Sequence, residues 1–199
     1  MFNLLSASMV LVVLSADAVP FLTGWEIMAA ASFALVVFEH EKSQVRRAGL
    51  IYLIAGGSGA LFLLGMFALL GAGPDSLTFS SFTRPAGGLA SAAFLCAIMG
   101  FGLKAGFIPL HIWLPEAHPA APSHVSAVMS GVMIKMGIYG LMRALHFLSP
   151  WQPWWGWLLI TIGAVSGLLG VIFALAQHDF KRLLAYHSIE NIGIITLGL

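Results

Sequence analysis

Charge is what this sequence has least of. Of its 199 residues only 9% are Asp, Glu, Lys or Arg, whereas 59% are apolar. That is too little polar material to clothe a water-facing globule of this length. Nine basic residues stand against eight acidic ones, so neither a basic surface for nucleic acid nor an acidic tail for a basic partner is present. The lone cysteine, Cys96, lies in an apolar run. A disulfide framework and a cysteine-built zinc or iron–sulfur site are thereby excluded within the chain. No soluble domain or low-complexity tract is visible, and the solvent for such a chain is the lipid bilayer. Met1 leads into an apolar stretch ending near Asp17, but no basic segment precedes it and further apolar segments follow. It reads as a span, or the remnant of one, rather than a leader peptide.

A spanning helix needs roughly 20 mostly apolar residues. Hydropathy, with Pro, Gly and charge as punctuation, predicts seven: Asn3 to Ser15, Val19 to Phe38, Ala48 to Leu70, Pro85 to Pro115, Pro122 to Phe147, Trp154 to Ala176, and Phe180 to the end. The first and last are short, and both ends are expected to be cut. The connection Gly71 to Arg84 reads as an ordinary surface loop turned by Gly73, Pro74 and Asp75. Lys42, Arg46, Arg47, Lys181 and Arg182 fall in connections on one side, Arg84 and Arg143 on the other. By the positive-inside rule the first group is cytoplasmic. Trp151, Trp154, Trp155 and Trp157 then form an aromatic belt at the outer interface.

Two lysines break the pattern. Lys104 lies inside the fourth span and Lys135 near the centre of the fifth; Glu26 is similarly placed in the second, and Glu190 sits about 16 Å of helical rise into the last. A charge at mid-bilayer costs about 2.5 to 3.5 kcal/mol on insertion scales, and six to ten apolar residues offset one. The arithmetic explains tolerance, not retention. A single structural ion pair needs one residue of each sign; two lysines and two glutamates at similar depth suit a proton or cation relay better. At an effective dielectric of about 20, moving a unit charge from about 8 to about 4 Å changes an interaction by roughly 2 kcal/mol, more than one pKa unit, so a mobile carboxylate can load or unload a lysine.

Spacing adds candidates. His124, Lys135 and His146 are eleven residues apart, close to three α-helical turns, which predicts one stripe down the fifth span with Tyr139 a turn beyond Lys135. Lys104, His111 and His118 are spaced by seven. His118, His124 and His146 read as interfacial, and His111, between Pro109 and Trp113, as the better proton carrier. Pro109 and Pro115 cannot donate to the carbonyls four residues back, so the fourth span should break just past Lys104. Its freed backbone groups must then find protein or water, and a broken helix with charges beside the gap is how ion-coupled transporters line a hydrated site.

The run GFGLKAGFIPLHIWLPEAHPAAPSHVSAVMSGVMIKMGIYGLMRAL, Gly100 to Leu145, with GWEIMAAASF around Glu26 and QHDFKRLLAYHSIENIG from Gln177, resembles the antiporter-like membrane subunits shared by respiratory complex I, membrane-bound hydrogenases and multisubunit sodium/proton antiporters. The EAHPAAPSHVSAVMSGVMIKMGIYG and AYHSIENIG runs place it nearest the hydrogenase-4 and formate hydrogenlyase branch. The resemblance implies an all-α polytopic fold of some fourteen helices with two inverted five-helix repeats: residues 1–148 correspond to the first, with its fourth helix broken, and 149–199 to the start of the second. Relatives of several hundred residues imply that this chain is a fragment. By the same resemblance Glu26 and Lys104 are a switchable pair, Lys135 is the central relay, and His111 with His124 gives access from the cytoplasm. Ser130 stands where complex I relatives often have histidine, which calls for a bridging group. His187 and Glu190 are a branch feature, either a link to the second repeat or a hydrogen-bonded pair.

The implied function is proton translocation in a redox-driven complex of a prokaryotic cytoplasmic membrane. No cofactor is expected in this chain; iron–sulfur and nickel–iron centres are expected in peripheral redox subunits, alongside other membrane subunits as partners. A stand-alone cation/proton antiporter subunit and a non-conducting hydrogenase anchor are the alternatives.

Overall fold

The computed structural model describes residues 1–71 and 77–199, and there the chain is helical apart from turns and one isolated antiparallel bridge between Asp17 and Thr78. The helices are α1 (Phe2–Leu14), α2 (Ala18–Val36), α3 (Ser43–Leu70), α4 (Gly88–Ala105), α5 (Leu114–Ala120), α6 (Ser123–Val128), α7 (Ile134–Phe147), α8 (Pro153–Leu175) and α9 (Phe180–Leu197). A π-helical segment, Met129–Met133, joins α6 to α7 into one rod. Five rods, α2, α3, α4, α6–α7 and α8, are long and apolar enough to cross a membrane. The chain is an integral, multi-pass membrane protein. Helix α1 has 13 residues, about 20 Å of rise, less than the roughly 30 Å of a bilayer core. Helix α9 carries Lys181, Arg182 and Glu190 along its 18 residues.

Local signals set the ends. Asp17 caps α2 by accepting from the Val19 amide at 2.9 Å, and Asp179 caps α9 by accepting from Arg182 N at 2.8 Å, each satisfying an amide that lacks an intrahelical partner. Small residues then let helices meet closely, as packing in lipid favours. A methyl group built on Gly193 of α9 would lie 2.4 Å from the backbone nitrogen of Gly167 on α8.

The expected turn formers Gly73, Pro74 and Asp75 lie outside the described residues. The rest of that connection is not an ordinary surface loop. The Phe79 amide donates to Ala16 O, and its ring, 9% exposed, stacks on Phe67 at 5.8 Å and packs against Phe82 and Phe147. Phe79 and Phe82 fold this stretch back so that their rings pack against Phe67 and Phe147.

The α2–α3, α5–α6 and α8–α9 connections gather at one end, as the distribution of Lys and Arg predicts. They line a polar cavity of about 810 Å³ in which Arg182 pairs with Glu116 at 2.9 Å and Lys42 with Glu39. The hydrogen bond and charge of Lys42 hold the Glu39 carboxyl below its ordinary range. We call this the basic end.

Candidate functional site

Helix α4 stops one residue after Lys104. Gly106 takes a left-handed conformation, φ +76°, and its amide returns to Gly102 O at 2.8 Å, a C-terminal cap open to glycine because it has no Cβ. Pro109 follows in the gap, and Pro115 falls in the first turn of α5, where a missing N–H costs nothing. The break past Lys104 is therefore made by a glycine and kept open by Pro109; Pro115 starts a helix rather than kinking one. Two side chains satisfy freed backbone groups. Trp113 Nε1 donates to Leu103 O at 2.6 Å, and the Ile108 amide donates to Ser166 Oγ of α8 at 2.9 Å.

Lys104 is 5% exposed, and its Nζ donates to the hydroxyl of Tyr52 on α3 at 2.8 Å. The Tyr52 ring lies 5.2 Å from the same nitrogen, so ring face and hydroxyl both meet the cation. The Tyr52 hydroxyl is bonded in turn to Ser32 Oγ, which donates to Met28 O at 2.6 Å, and it touches Met133 Sδ of the π segment at 3.7 Å. The carbonyl end of α4 adds a favourable partial charge. The buried cation is thus held by one neutral acceptor on α3, itself anchored to α2 and to the π segment.

The expected Glu26–Lys104 pair is not formed. Glu26 is exposed, and none of the three ion pairs among the described residues includes it. The reason lies next door in the sequence: Trp25, 2% exposed, takes the inward face, stacked on Phe21 at 5.7 Å and edge-on to Phe101 at 5.4 Å. Helical periodicity then turns Glu26 outward.

Lys135, half-buried in the first turn of α7, donates to the carbonyl oxygen of Ser130. That carbonyl belongs to the π segment, where each turn takes in one more residue than an α turn. Ser130 supplies its backbone, not a side-chain bridge. The same π turn shifts the register between His124 and Lys135 away from three whole α turns, which corrects the single stripe expected from spacing. His124 is exposed beside the Phe2 ring, centroids 6.3 Å apart, and His146 is exposed as well. His111 sits in the break, partly buried, its Nδ1 enclosed without a protein partner. His187 Nδ1 and Glu190 Oε2 on α9 are 2.6 Å apart, a partly exposed pair.

His118 is buried rather than open to solvent. It is 3% exposed, neither ring nitrogen has a partner among the described residues, and it lines a cavity of about 460 Å³ with Ser126, Ser130, Lys181, His187 and Asn191. It lies in α5 beside the basic end, outside the spanning rods. Burial first, and the Lys181 charge second, push its imidazole below the ordinary range. Tyr52 is not among the candidates that the sequence offers. A lone tyrosine in an apolar span carries no sequence signal, since only the fold brings it to Lys104. Among the described residues no group of three His, Cys, Asp or Glu side chains is placed to hold a metal ion.

With this geometry in view, the chain's relatives are informative. Residues 15–199 match the sequence profile of the family described as NADH:quinone oxidoreductase/Mrp antiporter, transmembrane. Hydrogenase-4 component B of Escherichia coli K12 is 46% identical over 202 residues, covering 99% of this chain and 30% of that protein. Formate hydrogenlyase subunit 3 of the same organism is 46% identical over 112 residues, 56% of this chain and 18% of the relative. Among solved structures, a chain of the Mrp complex from Dietzia sp. DQ12-45-1b superposes with a TM-score of 0.89 at 30% identity, covering 98% of this chain and 22% of that one. One from the membrane-bound sulfane sulfur reductase, an archaeal respiratory membrane complex, gives 0.85 at 26% identity, covering 98% and 41%. The chain spans about 30% of the length of the curated relative that it matches nearly end to end.

Proposed function

Because this chain belongs to the NADH:quinone oxidoreductase/Mrp antiporter transmembrane family, we propose that it is a proton-translocating subunit of a redox-driven membrane complex, of the hydrogenase or NADH:quinone oxidoreductase kind, in a prokaryotic cytoplasmic membrane. The observation that carries the reading is Lys104, an ammonium 5% exposed, at a helix break inside the membrane, in none of the ion pairs among the described residues and with a tyrosine hydroxyl at 2.8 Å. Such a group is expensive in lipid, and its use is to exchange a proton. Lys135 on the neighbouring rod is the second carrier. The Tyr52 hydroxyl, reaching Lys104 and the π segment alike, is the element between them. His111 in the break and His124 nearer the basic end serve access from that side, and His187 with Glu190 offers a link toward a second repeat. Glu26, turned outward at bilayer depth, marks the face where this chain meets a polar partner, because an exposed carboxylate in lipid has a cost that such a partner removes.

In this reading residues 1–148 are one five-helix repeat and 149–199 open the next. In the same reading electron transfer belongs to peripheral subunits, which would hold the iron–sulfur and nickel–iron centres that the resemblance to the hydrogenase branch implies. The similarity to the Mrp complex favours a second reading, a cation/proton antiporter subunit needing no redox partner. Sealed vesicles holding the purified complex separate the two. Proton movement that starts on adding an electron donor, without sodium, is expected here. Proton movement that needs a sodium gradient and ignores the donor supports the antiporter.

A further inference from the structure

A polar stripe runs from Lys135 through Tyr139 to Arg143 on one face of α7, at intervals of four residues, about 12 Å from first to last. At the end opposite the basic loops the last two of these side chains, with Phe79, His146 and Phe147 among others, line a cavity of about 430 Å³. If Lys135 carries protons, such a stripe ending in an open cavity is a short circuit unless something on it blocks them.

Arg143 Nη1 donates to Ser15 O and to Tyr139 Oη, both at 2.9 Å. Its guanidinium lies over Phe79, 4.6 Å from the ring centroid, with the Tyr139 and Phe147 rings at 5.7 and 5.9 Å. The cation is fixed from several sides, yet none of the ion pairs among the described residues includes it, so its charge is not cancelled by a carboxylate there. The Tyr139 hydroxyl accepts from Arg143 and gives its own hydrogen to Val13 O at 3.0 Å. With that hydrogen directed at a backbone carbonyl, it is held out of a proton chain between Lys135 and the cavity.

We propose that Arg143 is an electrostatic barrier which, together with the pinned Tyr139 hydroxyl, stops protons and other cations from passing between Lys135 and the cavity at the far end of α7. A fixed arginine excluding cations from a polar passage is an established physical device. The inference rests on Lys135 being a proton carrier.

The test is passive proton leak in sealed vesicles holding the complex, driven by an imposed potential with no electron donor. Arg143→Gln, which keeps donors for Ser15 and Tyr139 but removes the charge, is expected to raise the leak roughly thirtyfold, the Boltzmann factor for a unit charge at about 8 Å in an effective dielectric of about 20. Arg143→Lys is expected to keep it near the unsubstituted level, and adding Lys135→Met to Arg143→Gln should restore that level. Ser80→Cys, labelled at the cavity rim with an anionic thiol reagent, tests the same charge with Arg143 in place: labelling should raise the leak, and a cationic reagent should not. An assembled Arg143→Gln complex with unchanged leak, a raised leak that persists without Lys135, or an anionic label without effect overturns the proposal. Since the leak is read without turnover and pumping only with it, this inference and the functional reading fail separately.

Discussion

Lys104, at the last turn of α4, gives its buried ammonium to the hydroxyl of Tyr52 on α3 at 2.8 Å, and not to the carboxylate of Glu26. The consequence is that a hydroxyl sets the energy of the charged lysine. Tyr52→Phe keeps the ring that packs edge-on against Trp113 at 5.1 Å and deletes only the acceptor. Losing a partner of a buried charged group destabilises by about 1 kcal/mol or more, with values in lipid toward the lower side. We expect a comparable loss in detergent unfolding and a several-fold slower proton translocation. Unchanged stability and rate would remove Tyr52 from the site.

Two glycines of the α6–α7 rod should behave oppositely. A Cβ on Gly137 would meet Ala105 N at 2.6 Å and Phe101 O at 2.7 Å, whereas one on Gly131 meets nothing within 4 Å. Gly137→Ala thus forces α7 away from the end of α4 that carries Lys104 and is expected to cost about 1 to 3 kcal/mol. Gly131→Ala, in the π segment, should change stability by less than about 0.5 kcal/mol. The melting temperatures of the two purified variants check this, and equal losses would contradict the packing described.

The sequence makes the membrane architecture readable because hydrophobic runs and the lysines and arginines of the connections are local signals. The break past Lys104 is readable for the same reason, although its cause is Gly106 rather than proline alone. What depends on rotation about a helix axis is not readable. Trp25 and Glu26 are adjacent, and which faces inward is decided by Phe21 and Phe101 across the core. A π turn at Met129–Met133 shifts the His124–Lys135 register without any residue that announces it. His118 and Tyr52 acquire their environments only from distant segments.

His118 gives a pH dependence with a definite sign. Its folded-state pKa is depressed from the ordinary 6.5 by burial and then by Lys181, so below that value the unfolded chain binds a proton that the folded one resists. Stability is therefore full above about pH 6.5 and declines as the pH falls toward the depressed value. His118→Leu should flatten the decline between about pH 7 and pH 5 in equilibrium unfolding. An identical slope in the variant would place the titrating group elsewhere.

The central claim is that lysines within the spanning rods carry the translocated proton, and Lys135→Ala tests it when ion movement and electron transfer are recorded together in sealed vesicles holding the assembled complex. The expected result is loss of donor-driven proton movement while the soluble partners still transfer electrons to an artificial acceptor. Donor-driven proton movement at the unsubstituted rate in that variant would contradict the account.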